Sequence, residues 1–223
     1  LGGAYAVQQV LQQVLSQQPS SGSVSLTDIN DGKFPNEVKN ITVVTATDGN
    51  HGRSVAWGAE RFGCECMIYM HANVSQARQE AVEAFGATVI RVDGNYDDSV
   101  RQADLDAKEN GWHIVSDTSY PGYMEVPRDV MAGYTLMTTE AMDQLPESVI
   151  PSHVFIQGGC GGLAGAVCAD LWFRYGKDMP HIVVVEPVPA ACLYESAKAG
   201  EERIVNITEE SLMAGLSCGE VSA

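Results

Sequence analysis

Apolar residues recur at three- and four-residue intervals over residues 1–18, where Ala4, Val7, Val10, Leu11, Val14 and Leu15 would form one stripe of a helix. Residues 19–38 (PSSGSVSLTDINDGKFPNEV) are rich in Pro, Ser, Gly and Asp and read as a loop with room for a short turn. A rhythm then begins. Short apolar or β-branched runs at 41–45, 66–70, 88–92, 112–117, 152–157 and 181–187 read as strands. Helical segments at 53–62, 75–85, 97–110, 127–144 and 161–175 lie between them. Gly63, Gly86 and Gly111 each close a helix just before the next strand, where a left-handed residue ends a helix without steric cost. Gly176 closes the segment 161–175. The alternation predicts βαβ units, hence an α/β fold with mostly parallel sheets. Continuous apolar strands such as Met67-Ile68-Tyr69 and Ile182 to Val185 predict sheets covered on both faces. After Pro187 the pattern weakens: residues 190–200 can be a helix, and the last twenty show no clear element.

Composition narrows the function classes. A formal charge of −16 over 223 residues argues against a nucleic-acid surface, which needs Lys and Arg against phosphate. No run of 18 apolar residues predicts a membrane span. The six Cys (Cys64, Cys66, Cys160, Cys168, Cys192 and Cys218) form no CxxC pair, and no His stands at zinc-like spacing. Reduced, mostly buried thiols in a cytoplasmic protein are the expectation, with no metal. The chain opens at Leu1 without a basic, signal-like segment or an initiator Met, which predicts a fragment or a processed start.

In open parallel sheets, ligands sit beyond the carboxyl ends of strands, at helix N-termini. Two such junctions are rich in glycine. The first is Thr47-Asp48-Gly49-Asn50-His51-Gly52. Its glycines admit a ligand close to the backbone, and the Asn50 amide can hold a ring hydroxyl or phenolate. Asp48 or Asn50 would equally serve as a helix N-cap. The second is Gln157-Gly158-Gly159-Cys160-Gly161-Gly162. Its exposed amides and the positive helix end form an anion cradle suited to a monophosphate ester. No Gly-Lys-Ser/Thr follows, so it is not a Walker loop, and the dinucleotide pattern is matched only weakly. A tight turn without a ligand is the alternative.

Together the two junctions resemble those of the fold-type II pyridoxal-phosphate enzymes, the tryptophan-synthase-β-like group that includes serine and threonine dehydratases. Within that group the TDGNHGR stretch is similar to diaminopropionate ammonia-lyases. So are NYDDSVR (95–101), SDTSYPGY (116–123), IVVVEP (182–187) and MAGLSCGE (213–220). The dehydratases place a small neutral residue where this chain has Asp48. The resemblance implies a three-layer α/β architecture, present here as a fragment. Residues 46–135 would form the small domain, and 1–45 with 136–223 would be parts of the large, cofactor-binding domain. It implies pyridoxal 5'-phosphate as cofactor, with Asn50 at its ring oxygen and Gly158, Gly159, Cys160, Gly161 and Gly162 around its phosphate. It implies α,β-elimination of 2,3-diaminopropionate to pyruvate and two ammonia molecules, and a homodimer.

Two carboxylates then gain roles. The resemblance makes Asp48 the base on one face of the substrate Cα, opposite a Schiff-base lysine. Asp117, at the end of the strand 112–117, would meet the substrate's second ammonium group; a strand-end Asx turn is its other reading. Tyr120, in the following loop, could pack near the substrate. His51 is read as bonding within its turn, Glu186-Pro187 as supporting, and Met67 and Met70 as core. The rivals are a serine or threonine dehydratase, a non-catalytic module of the same fold and a nucleotide-binding Rossmann protein. The last lacks a tight Gly-x-Gly after the first strand and an acidic residue after the second.

Family members carry the Schiff-base lysine just ahead of LGGAY, and none of Lys33, Lys39, Lys108, Lys177 and Lys198 stands in that context. A polypeptide of residues 1–223 alone is therefore expected to form no Schiff base with pyridoxal phosphate and to show little lyase activity. Absorbance titration of that polypeptide with the cofactor checks this; a lysine Schiff-base band mapped to one residue would refute it.

Overall fold

The computed structural model describes residues 1–19, 22–47, 49–146, 149–209 and 211–222, so Asp48 lies outside the described residues. The elements in chain order are α1 (Gly2–Ser16), α2 (Leu26–Asn30), α3 (Pro35–Val38), β1 (Thr42–Ala46), α4 (Asn50–Phe62), β2 (Glu65–His71), α5 (Gln76–Glu83) and β3 (Thr88–Val92). They continue with α6 (Tyr96–Asn110), β4 (His113–Ile114), α7 (Glu125–Asp143), β5 (His153–Gln157), α8 (Gly162–Tyr175), β6 (His181–Val185) and α9 (Cys192–Ala199). The chain divides into two compact units: Leu1–Asp117 with Glu125–Gly133, and Thr118–Met124 with Tyr134–Ala223.

The first unit holds a parallel sheet in the order β3-β2-β1-β4. Side chains alternate across it, as strand geometry requires. Val44 and Tyr69 pack with Ala103 and Ala107 of α6, joined by Ala46, Met67, Ile90 and Val92. The opposite set, Val43, Cys66, Ile68 and Met70, is also buried, so both faces of the central strands are covered, as the apolar runs predicted. Tyr69 keeps its hydroxyl satisfied by donating to Asp106 of α6. Against α4 lies α1, through small residues: a Cβ on Gly58 would lie 2.7 Å from the Cα of Ala4. The amide of Ala4 donates to Ser54 Oγ at 3.1 Å, tying the two helices polar as well as apolar.

The glycine punctuation is observed. Gly63 and Gly111 are left-handed C-caps, at φ 86° and 70°, and Gly86 follows α5 at φ 76°. Three expectations change. The stretch 19–38 holds two short helices; Ser25 and Asp28 form a reciprocal capping box that starts α2. Asn50 lies inside α4, whose N-cap is Gly49. The strand expected over 112–117 is a ladder of two residues, with one further bond from Val115 N–H to the Val44 carbonyl at 2.8 Å. Pairing stops there because the Val115 carbonyl is taken by the His51 ring at 2.7 Å. Asp117 thus follows the strand rather than ending it.

In the second unit β5 and β6 pair in parallel from His153↔His181 to Gln157↔Val185. Ile156, Ala164, Val167 and Leu171 form its core, with Met142, Val154 and Ile182 packed against them. On the other face of the sheet Phe155 is 70% exposed.

The α1–α4 contact generates a stability prediction. Gly58→Ala gains about 1 kcal/mol of helix propensity, yet overpacking costs about 1–3 kcal/mol and the close neighbour is backbone. Urea unfolding is expected to show Gly58→Ala destabilised and Gly58→Val more so.

Candidate functional site

In the first unit the chain leaves β1 at Ala46 and enters α4 four residues later. Thr47 holds this turn. Its N–H donates to the Tyr69 carbonyl at 3.0 Å. Its Oγ1 accepts from the amides of Gly49 at 3.2 Å and Gly52 at 3.3 Å, which satisfies donors that a helix start leaves open. Gly52 is required by this proximity: a Cβ there would lie 2.2 Å from Thr47 Cγ2. The capping role considered for Asn50 therefore belongs to Thr47. Asn50 is exposed, and its side-chain amide bonds no described residue. It lines a concavity of about 350 Å³ with Leu1, Arg53, Ser54, Trp57 and Phe85.

The next residue, His51, points inward. Its ring is buried, with Nε2 2.7 Å from the Val115 carbonyl. Nδ1 lies 3.9 Å from Asp117 Oδ2. The Asp117 side chain is 33% exposed, so a carboxylate stands partly in solvent two residues beyond the carbonyl that holds His51. A free carboxylate at a strand exit can receive an ammonium group.

In the second unit β5 delivers the chain into Gly158–Gly162. The Gly158 amide continues the sheet, donating to the Val185 carbonyl at 2.9 Å. Cys160 presents its carbonyl to Ser222 N–H at 2.8 Å, and the Gly159 carbonyl accepts from the Cys192 thiol at 3.4 Å. Gly161, at φ 105°, is the N-cap of α8 and supplies no side-chain cap. The amides of Gly159, Gly161, Gly162, Leu163 and Ala164 have no hydrogen-bond partner among the described residues. Unpartnered amides at the positive end of a fourteen-residue helix favour an anion. The loop contains no Lys or Arg, so dipoles must do this work.

Packing explains the glycines. A Cβ on Gly158 would lie 2.8 Å from Leu193 Cδ1, and one on Gly161 would lie 2.8 Å from Leu193 Cδ2. Gly159 faces open space by comparison, its nearest atoms being 3.8 Å away. Leu193 is held there by Glu186. That carboxylate accepts from the amides of Leu193 at 2.9 Å and Tyr194 at 2.8 Å, so it caps α9. Glu186, which follows four apolar residues, was legible as a lone carboxylate but not as a cap.

None of the six cysteines forms a disulfide. The Cys218 thiol is pushed up by its hydrogen bond to the Cys160 thiol and by burial. Cys192 is raised by burial and the nearby Glu186 charge, and burial pushes Cys64 up to about 12. Protonated thiols of this kind are poor nucleophiles, so those beside the glycine loop act through packing and backbone contacts. The 116–123 segment closes on itself, with Tyr120 and Tyr123 stacked at 5.1 Å.

Each junction by itself has a chemical fit: the open amides of the glycine loop suit a phosphate, and the exposed Asn50 amide suits a ring oxygen. Residues 11–223 match the family of pyridoxal-phosphate dependent enzymes. Diaminopropionate ammonia-lyase of Salmonella typhimurium is 41% identical over 99% of this chain and 55% of its own length. A crystal structure of the holo diaminopropionate ammonia lyase from Escherichia coli superposes with a TM-score of 0.85 at 38% identity, covering 99% of this chain and 54% of that one. Another structure of that enzyme, TM-score 0.82 at 37% identity over 99% of this chain and 53% of that one, holds an aminoacrylate–PLP azomethine intermediate. A tomato (Solanum lycopersicum) threonine dehydratase is 30% identical over 76% of this chain and 26% of its own. The chain thus spans about half the length of the diaminopropionate ammonia-lyases it matches.

The Glu186 cap gives a second prediction. Glu186→Ala is expected to lower stability by about 1–2 kcal/mol, the cost of losing a helix cap, and to speed hydrogen exchange at the amides of Leu193 and Tyr194. Thermal unfolding and amide exchange check it, with Glu186→Gln intermediate.

Proposed function

The chain belongs to the pyridoxal-phosphate dependent enzymes, and from that premise we propose that the whole protein eliminates the β-amino group of 2,3-diaminopropionate to give pyruvate and ammonia. One observation carries the reading: likeness to diaminopropionate ammonia-lyases runs through 99% of the chain at 41% identity, against 76% at 30% for a threonine dehydratase.

When bound, the cofactor's pyridine ring delocalises the charge left at Cα after proton removal. The remaining work falls to protein groups. The amides of Gly159, Gly161 and Gly162 and the start of α8 hold the phosphate; Cys160 contributes backbone; Gly158 admits the strand, its own amide being committed to the sheet. The Asn50 amide orients the ring through its oxygen. Asp117 holds the second ammonium of the substrate, which serine and threonine lack. Asp48 takes or returns the Cα proton on one face, and a lysine outside residues 1–223 serves the other. A carboxylate needs a raised affinity for protons to act as a base, and removal from water is what raises it.

The same reading keeps residues 46–135 as the small domain and 1–45 with 136–223 as parts of the large one. It also keeps a homodimer, a cytoplasmic setting and no nucleic-acid partner. Among the described residues no helix is long and apolar enough to cross a membrane. A serine or threonine dehydratase remains the rival reading of the same fold.

With the full-length protein and cofactor, diaminopropionate is expected to give pyruvate at least ~100-fold faster per KM than serine gives pyruvate or threonine gives ketobutyrate; the charge of a paired ammonium justifies that margin. Efficient turnover of threonine with none of diaminopropionate would refute the assignment. Gly161→Val is expected to weaken cofactor retention by an order of magnitude or more, since the left-handed backbone and the Leu193 contact both exclude a side chain. Fluorescence titration with pyridoxal phosphate reads it out.

A further inference from the structure

We propose that His51 is the positioning residue for Asp117: its ring is pinned through Nε2 and aims Nδ1 at the carboxylate, holding one oxygen and leaving the other for an ammonium group. The proposal deepens the reading of Asp117 given above and rests on it.

The geometry carries the argument. A backbone carbonyl only accepts, so Nε2, 2.7 Å from the Val115 oxygen, bears the hydrogen of that bond. Nδ1 is then a lone pair, or a donor when it carries a second proton. It is sealed from solvent and has no hydrogen-bond partner among the described residues. Buried polar atoms without partners are uncommon, and each calls for an explanation. The facing group is Asp117, with Oδ2 at 3.9 Å. The ring cannot approach, since its side chain is only 6% exposed and Nε2 is fixed. The Asp117 side chain is 33% exposed; with a proton on Nδ1, a turn of that side chain toward the ring would close the gap and make the charge-assisted contact. His51 also grips Val115, two residues before Asp117, so one ring sets both the backbone exit of β4 and the carboxylate it carries.

Two substitutions separate these roles. Glutamine can reproduce the Nε2 donor to Val115 and lacks Nδ1; asparagine places an amide near Nδ1 and lacks the Val115 bond. In the full-length holoenzyme, His51→Gln is expected to raise KM for diaminopropionate ~10-fold, the size of a lost hydrogen bond to a charged group, with KM for serine unchanged. His51→Asn is expected to recover most of that loss. Adding His51→Gln to Asp117→Asn should cost nothing more, because the pair acts as one unit. The reverse order, with glutamine normal and asparagine impaired, overturns the proposal, as do equal losses on both substrates or none on either. Imidazole ¹⁵N NMR of the wild type and Asp117→Asn gives a readout independent of turnover: the Nδ1 resonance of His51 should move and Nε2 should not. An unmoved Nδ1 overturns the proposal. If the holoenzyme ignores diaminopropionate, the assigned activity fails, and the NMR comparison still decides whether His51 acts on Asp117.

Discussion

The amides at the start of α8 set the terms for the second unit. A helix start leaves donors that must be met by a side chain, water or a ligand. Here the N-cap is Gly161 and no side chain caps the helix. A side chain on Gly158 would begin 2.6 Å from Val184 and 2.8 Å from Leu193, and one on left-handed Gly161 would begin 2.8 Å from Leu193. Leu193 in turn is fixed by Glu186. One carboxylate after β6 thus fixes the backbone of the leucine that crowds two of the loop's glycines. Packing as much as the motif leaves this helix start open.

The first unit solves the same problem differently. After β1, the hydroxyl of Thr47 takes the amides of Gly49 and Gly52, so this helix start is capped from within. Asn50 is thereby released from capping and stands exposed. His51 turns the other way, into the core, and ends β4 by occupying a carbonyl the ladder would otherwise use. Adjacent residues on one helical turn therefore face solvent and a strand exit, respectively. The short β4 is a direct result: a longer ladder would carry Ser116 and Asp117 into the sheet.

Much of the fold was readable in advance, and particular residues show why. Alternating apolar runs and helical stripes are local signals, and Gly63, Gly86 and Gly111 punctuate them by a backbone preference that needs no tertiary context. The misreadings also have local causes. Over 19–38 the Pro, Ser and Gly content masked the Ser25–Asp28 capping box, a signal that was present and outweighed. In WHIVSD the run Trp112 to Val115 suits a strand, and nothing in those six letters announces that a histidine 64 positions earlier will claim one carbonyl.

The sequence by itself determined the order of elements, the parallel pairing and the two glycine junctions, because periodicity, helix stops and glycine content act over a few residues. The tertiary structure alone decided which of those junction groups are free to act. Thr47, His51, Glu186 and Leu193 acquire their roles from close approaches that hydrophobic periodicity does not encode. Whether a donor is satisfied or left open depends on the atoms that packing brings beside it.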